Sequence, residues 1–202
     1  MTQRLVLTIT LLFSFIVIAG GCFSSGVPAG SVPAGLEIGD SYYLGKTDPK
    51  DPSRSLVYGY IDMKEAPSKL ESVLIKQYLP KPQYLWGCIV LDESIFFSLD
   101  IQKGSYQVEK FGGSRLFKGR YLYRFGRGKN QTALRIKKPG MYFLGAYKFI
   151  PAKDDWKFTM KAIKSPSEKV ILKRILKYLE KKGKKEFARQ IRMIKQKIRK
   201  LG

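Results

Sequence analysis

Two apolar segments separated by an acidic dipeptide decide the fold class: residues 84–91, which read YLWGCIVL, and residues 94–101, which read SIFFSLDI. Both are rich in the β-branched and aromatic residues that favour strands. Asp92 and Glu93 between them predict a tight turn. We therefore expect two successive strands here, with the first segment buried.

Segments of the same kind extend on both sides of this pair, from about residue 36 to residue 163. They are short, they are bounded by glycine or proline, and no helical period separates them. This spacing predicts an antiparallel β-sandwich or barrel. We expect a mainly β domain over residues 36–163, with an immunoglobulin-like or transthyretin-like sandwich. The other predicted strands are 56–61, 72–79, 106–111, 120–125, 132–137, 141–150 and 157–163.

One short pattern occurs twice, as GSY at residues 104–106 and GMY at residues 140–142, each after a basic turn. This Gly-x-Tyr unit resembles a hairpin of transthyretin-like sandwiches of the carboxypeptidase-regulatory kind. Residues 57–61 (VYGYI) are similar to an early strand of that family, and residues 97–99 fit the strand before the glycine turn. The family's Asp-x-x-Gly turn is missing. The resemblance covers about residues 56–113 and implies a fold without a function, because such sandwiches serve many functions.

The pattern changes at residue 165, where residues 165–202 predict a basic helical hairpin. Residues 165–168 (SPSE) form a capping box with Ser165 as the N-cap, and Gly183 is a fitting C-cap. A second helix is predicted over residues 184–200 because apolar residues recur at helical spacing. This apolar seam consists of Phe187, Ile191, Ile194, Ile198 and Leu201.

Positive charge is concentrated in the same region. The chain has 38 Lys and Arg against 16 Asp and Glu, a net charge of +22, and residues 151–202 carry 18 against 5. The basic faces are either the solvated side of a packed hairpin or a surface for anionic lipid, lipopolysaccharide, acidic glycan or an envelope protein. A nucleic-acid platform built on Tyr121, Tyr123 and Phe125 is the third interpretation, which export disfavours. The candidate anion-binding residues are Arg189, Arg192, Lys195, Lys197 and Arg199.

The first 22 residues predict an export signal. Arg4 precedes an apolar run over residues 5–18, which ends in the small residues AGG and then Cys22. This end resembles the lipobox of bacterial lipoproteins, which implies cleavage between Gly21 and Cys22 and a lipid on the Cys22 thiol. The family usually has Leu, Val or Ile where this chain has Ala19. An ordinary secretory cleavage or an uncleaved membrane helix are the alternatives.

The resulting organisation is a signal peptide (1–21), a spacer (22–35), a β domain (36–163) and helices (165–202). The spacer repeats Val-Pro-Ala-Gly and predicts an extended, flexible tether. Phe23, which is not aspartate, is similar to the outer-membrane sorting pattern of Gram-negative lipoproteins. We therefore expect a lipid-anchored protein of the cell envelope that faces the periplasm or the exterior.

No catalytic constellation is visible in the sequence. The chain has no histidine, and its second cysteine, Cys88, lies in an apolar run typical of a buried strand. The adjacent acidic pairs at 92–93 and 154–155 point to opposite faces if they lie on strands. We expect no cofactor and no metal site, and a role in binding or assembly. An enzyme that uses scattered carboxylates and tyrosines, or a soluble periplasmic binding module, remains the alternative.

Overall fold

The computed structural model describes residues 50–80, 83–115, 119–125, 132–153 and 157–202. The predicted signal peptide 1–21, the spacer 22–35 and residues 36–49 of the predicted β domain lie outside the described residues. The described chain is mainly β, with two sheets followed by two C-terminal helices, as the strand-rich sequence predicts.

The described strands follow the apolar segments of the sequence closely, and β2 has the predicted bounds. The two helices follow the strands. In chain order the elements are β1 Ser55–Asp62, β2 Ser72–Leu79, β3 Gln83–Gly87, β4 Ile89–Leu91, β5 Ile95–Ile101, β6 Gly104–Arg115, β7 Gly119–Arg124, β8 Leu134–Ile136, β9 Met141–Pro151, β10 Phe158–Ala162, α1 Glu168–Gly183 and α2 Ala188–Lys200.

The strands form one sheet in the order β10-β9-β1-β5-β4 and a second in the order β3-β2-β6-β7, with β8 paired to β6. We call them the first and the second sheet. The pairing of β1 with β9 is parallel, which corrects the expectation of a purely antiparallel fold. A parallel pair requires a long crossover connection, and the chain from β2 to β8 provides it.

The apolar segment 84–91 is divided between the two sheets, although the sequence predicts one strand. β3 pairs with β2 in the second sheet and β4 pairs with β5 in the first. Cys88 lies at the break, where its backbone N–H donates to the carbonyl of Val73 at 2.9 Å. The chain therefore crosses from the second sheet to the first at this point.

One hydrophobic cluster contains residues of both sheets. Along β1 it takes Val57 and Ile61, whose side chains share one face of the strand because neighbouring residues alternate. The second sheet contributes Phe111 and Tyr123, among others. Because Tyr123 is 7 % exposed and Phe125 is 8 % exposed, these rings are core residues and cannot stack on nucleic-acid bases.

A second cluster joins the other face of the first sheet to the two helices. Leu56 and Tyr58 of β1 lie in it together with Ile171 and Ile175 of α1. The predicted seam of the last helix is buried there at Phe187, Ile191 and Ile194, whereas Leu201 at its end is 38 % exposed. The apolar residues of both helices therefore pack on the first sheet of this chain.

The helix ends differ from the capping pattern in the sequence. The N-cap of α1 is Ser167 and makes no side-chain capping bond, so Ser165 is not the cap. Glu168, the expected partner in the capping box, instead accepts a hydrogen bond from the hydroxyl of Tyr58. Gly183 ends α1 as its last helical residue, and α2 begins at Ala188 after a turn.

Candidate functional site

The predicted anion-binding residues have three different environments, and Arg189 is the most constrained. Its guanidinium donates to the backbone carbonyls of Asp51 at 3.0 Å, Pro52 at 2.9 Å and Arg54 at 3.2 Å. These carbonyls belong to the segment that leads into β1. Arg189 therefore anchors α2 to that segment through both terminal nitrogens of its guanidinium.

Lys195 and Lys197 each contact a carboxylate of α1. The ammonium of Lys195 lies 2.7 Å from Glu180, and that of Lys197 lies 3.5 Å from Glu168. The hydrogen bond from Lys195 holds the pKa of Glu180 below its ordinary value of 4.5. These ion pairs connect the two helices, although Lys195 keeps half of its side-chain surface exposed.

Arg192 and Arg199 are exposed, and no described acidic side chain lies within ion-pair distance of them. Together with Lys184 and Lys195 they line a shallow depression of about 390 Å³ between the end of α1 and the outer side of α2. We call this the basic cleft. Residues 192, 195 and 199 share one side of α2 because they are spaced three and four apart.

The basic cleft continues into a wider basic surface on α1 and the turn that follows it. Its cations are exposed because the apolar seams face the sheet and leave the charged positions on the solvent side. This surface belongs to the same helical region as Arg192, Lys195 and Arg199. Its members are Lys173, Lys177, Lys181, Lys182, Lys184 and Lys185.

The remaining predicted residues contribute little to a site in the described chain. Gly21, Cys22 and the acidic pair 154–155 lie outside the described residues. Cys88 is 6 % exposed, and burial raises the pKa of its thiol. A buried thiol of this kind is a poor nucleophile.

A site that the sequence analysis missed is formed by acidic residues from separate segments. Asp62, Glu71, Asp92 and Glu93 line one cavity of about 740 Å³ next to Tyr60. We call this the acidic cavity. No local motif indicates it, because its carboxylates come from β1, the segment before β2 and the turn between β4 and β5. In the described parts of the chain, no three acidic or cysteine side chains are grouped closely enough to hold a metal ion.

Comparison of the chain with protein-family models, curated proteins and solved structures finds no significant match. Neither helix of the described chain has the length and apolar content needed to cross a bilayer. The functional argument therefore depends on the contacts and charges of this chain alone.

Proposed function

We propose that this chain is a lipid-anchored protein of the cell envelope with a binding or assembly role, and that its C-terminal basic face contacts an anionic surface. The anchor is a lipid on Cys22, exposed by cleavage after Gly21, and residues 22–35 are the tether. In this proposal the two sheets are a transthyretin-like sandwich, and α1 and α2 are a helical hairpin packed on it. The location is the outer membrane if the envelope is Gram-negative.

The observation that carries the anionic-surface proposal is the basic cleft with the surface around it. Because Phe187, Ile191 and Ile194 are buried, α2 cannot also insert its apolar side into a membrane. Contact with an anionic partner is then electrostatic. Each Lys or Arg close to an anionic leaflet contributes about 1 kcal/mol at physiological salt, so a few of them suffice for a protein that is already tethered.

The enzyme alternative has one observation in its favour, the convergence of carboxylates at the acidic cavity. However, Asp92 is paired with Arg174 at 2.8 Å, and Glu93 is paired with Lys69 at 2.5 Å. Both carboxylates are therefore engaged in surface ion pairs, which argues against a role as a free acid or base. If Cys22 carries no lipid, the same binding role would belong to a soluble periplasmic module.

Binding to nanodiscs tests the anionic surface. We would measure binding of the full chain, diluted from nonionic detergent to below its critical micelle concentration, to phosphatidylcholine nanodiscs with and without phosphatidylglycerol, at low and high salt. We expect tighter binding to the discs that contain the anionic lipid than to the neutral discs, to which the N-terminal lipid alone attaches the chain, and we expect high salt to remove this difference. The triple variant Arg192→Gln/Lys195→Gln/Arg199→Gln should bind about tenfold to 100-fold more weakly at low salt.

A matched variant controls for net charge. Lys103→Gln/Lys137→Gln/Lys138→Gln removes the same number of exposed positive charges from turns of the β region. We expect it to retain most of the binding. Equal binding to both kinds of nanodisc, or an equal loss in both triple variants, would rule out the basic cleft as the contact.

A thiol count tests the anchor separately. Because Cys88 is buried and its thiol pKa is raised, we expect no thiol of the native full chain to react with an alkylating reagent at neutral pH. After unfolding we expect one reactive thiol if Cys22 carries a lipid. Two reactive thiols in the unfolded chain, with no fatty acid on the N-terminal peptide in mass spectrometry, would contradict lipidation.

A further inference from the structure

The strand β10 lies at one edge of the first sheet. It pairs antiparallel with β9, and among the described strands it has no neighbour on its other side. An edge strand presents a row of backbone N–H and C=O groups with which another extended chain can pair. The direction of these groups and the side chains beside them therefore decide what the edge can bind.

The hydrogen bonds at the two ends of β10 fix its register against β9. The backbone N–H of Ala152 donates to the carbonyl of Lys157 at 2.9 Å. The backbone N–H of Ile163 donates to the carbonyl of Ala146, also at 2.9 Å. In an antiparallel pair every second residue bonds to the partner strand, so the odd-numbered residues of β10 face β9 with their backbone groups.

The even-numbered residues of β10 have backbone groups that point away from β9. They are Phe158, Met160 and Ala162, and each has one N–H and one C=O on the open side. Among the described residues, no hydrogen bond outside the pairing with β9 reaches these groups. A partner strand of about five residues, a common strand length, would span all three positions.

The side chains of β10 make its two faces different. Phe158 and Met160 are half-buried and pack against the cluster between the sheets, where the Phe158 ring stacks on Phe149 with centroids 4.9 Å apart. Thr159 and Lys161 are exposed and lie on the opposite face, because side chains alternate along a strand. A strand added to this edge therefore needs apolar side chains on one face and polar side chains on the other.

The charge beside the edge is positive. Residues 157–164, which read KFTMKAIK, contain three lysines and no acidic residue. Lys161 and Lys164 are exposed, and no described acidic side chain lies within ion-pair distance of them. Opposite charges across neighbouring strands are favourable and like charges are unfavourable. The edge thus favours an acidic strand and disfavours a second copy of β10, which would bring lysines of both chains together.

From the open edge, its outward backbone groups, the half-buried Phe158 and Met160 and the lysines beside them, we propose that β10 binds an extended segment of another protein in which apolar and acidic residues alternate. The segment adds a strand to the first sheet. Its apolar side chains cover Phe158 and Met160, and its carboxylates lie next to Lys161. Backbone hydrogen bonds supply the affinity and the alternating side chains supply the specificity. This is a second binding surface, distinct from the basic cleft.

Fluorescence anisotropy of a labelled peptide tests the affinity. The probe is Gly-Val-Glu-Val-Glu-Val-Gly, the comparison is Gly-Val-Lys-Val-Lys-Val-Gly, and the protein is the full chain in nonionic detergent. We expect saturable binding of one acidic peptide per chain. The lysine peptide should bind at least about tenfold more weakly, because its charges meet those of Lys161 and Lys164.

Met160→Pro tests the backbone pairing. Proline removes the outward N–H of residue 160 and leaves the hydrogen bonds to β9 in place, since the odd-numbered residues make them. The affinity should fall about tenfold or more, whereas Met160→Ala, which keeps the N–H, should lose about threefold. Circular dichroism checks that both variants are folded.

A charge reversal provides a test that does not depend on proline. Lys161→Glu should weaken binding of the acidic peptide about threefold to tenfold. Lys103→Glu makes the same reversal at an exposed residue of the turn between β5 and β6 and should leave the affinity unchanged. Equal losses in these two variants would show that only net charge attracts the peptide.

Hydrogen exchange by NMR locates the bound peptide. The amide protons of Phe158, Met160 and Ala162 should become protected on binding. Those of Thr159 and Lys161 should change little, because they already bond to β9. Protection confined to α1 and α2 would place the peptide on the basic surface and contradict the proposal.

The basic-cleft triple variant separates this surface from the anionic contact, since it should bind the acidic peptide about as well as the unaltered chain. Absence of saturable binding, equal binding of both peptides or full affinity in folded Met160→Pro would overturn the proposal. Without peptide, protection of the three outward amides that increases with protein concentration would identify a second copy as the occupant and overturn the choice of an acidic partner.

Discussion

The two faces of the first sheet are packed by different means. Against the second sheet, the rings of Phe111, Tyr123, Phe149 and Phe158 contact one another with centroids 4.9–5.9 Å apart. Against the helices, the helical side of the cluster is largely aliphatic and is supplemented by polar contacts at its margin. These contacts include Tyr58 with Glu168 and Arg189 with backbone carbonyls.

This difference shows how one chain joins a neutral core to a strongly charged layer. Among the described residues, a hydrophobic cluster joins the two sheets, so the stability of this contact depends on buried area and ring packing. The helices carry a large positive charge, and their acidic residues and Arg189 are used to fix them to the sheet and to each other. We therefore expect substitutions on the two faces to lower the free energy of unfolding by different amounts, and we expect these losses to depend differently on pH and salt.

The largest effect is expected for Phe111→Ala. Phe111 is fully buried and contacts three other rings, so its truncation leaves a cavity between the sheets. We expect the free energy of unfolding to fall by about 4 kcal/mol in chemical denaturation. Hydrogen exchange should accelerate in both sheets. A loss below about 1 kcal/mol would contradict a shared core.

Ile175→Ala should have a smaller and more local effect. Ile175 is fully buried under the first sheet, and its truncation should cost about 3 kcal/mol. Hydrogen exchange should accelerate first in α1 and α2, because the ring-packed face of the sheet remains intact. If instead β2 and β6 exchange as fast as the helices, the two faces do not differ in the way described.

Tyr58→Phe tests the polar part of the helix contact. Burial, and then the hydrogen bond to Glu168, raise the pKa of the Tyr58 hydroxyl, so it stays protonated and donates to that carboxylate. Its removal should cost about 1–2 kcal/mol, because bonds to charged groups are stronger than neutral ones.

Tyr147→Phe is the matched control on the other face. The hydroxyl of Tyr147 donates to the neutral carbonyl of Leu144 at 3.0 Å. We expect a loss of about 1 kcal/mol or less in urea denaturation. A larger loss for Tyr147→Phe than for Tyr58→Phe would contradict the idea that charged hydrogen bonds fix the helices.

The smallest effect is expected at the pair of Glu180 and Lys195. The pKa of Glu180 in the folded state lies below the ordinary value of 4.5. The pair therefore stabilises the folded state fully above pH 4.5, and this contribution is lost as the pH falls through the pKa of Glu180 in the folded state. Titration by NMR should show Glu180 below 4.5 in the unaltered chain and a return towards 4.5 in Lys195→Gln. An unchanged titration would show that the pair is not formed in solution.

Much of the architecture was predictable because strand and seam patterns are local. Residues 72–79 are apolar or aromatic enough to define β2 without any knowledge of its partners, and the spacing of Ile191 and Ile194 defines the buried side of α2. The sequence also predicts that most of the cations of the helices are exposed, because they lie off the seams. None of this requires contacts between distant residues.

The environments of the site residues, in contrast, could not be predicted from local sequence patterns. Arg189, one of the predicted anion-binding residues, donates to the carbonyls before β1, whereas Arg192 and Arg199 are exposed. Nothing adjacent to Asp62 or Glu71 in sequence indicates that they share a cavity. The same applies to the division of residues 84–91 between two sheets at Cys88.

The sequence by itself determined which segments are strands, which helical positions are apolar and how many charges the chain carries. Only the tertiary structure decided that β1 and β9 run parallel, that the helices pack on the first sheet and that four acidic residues line one cavity. The physical reason is range. Side-chain periodicity acts between neighbours in the chain, whereas pairing and charge placement depend on residues that only folding brings together.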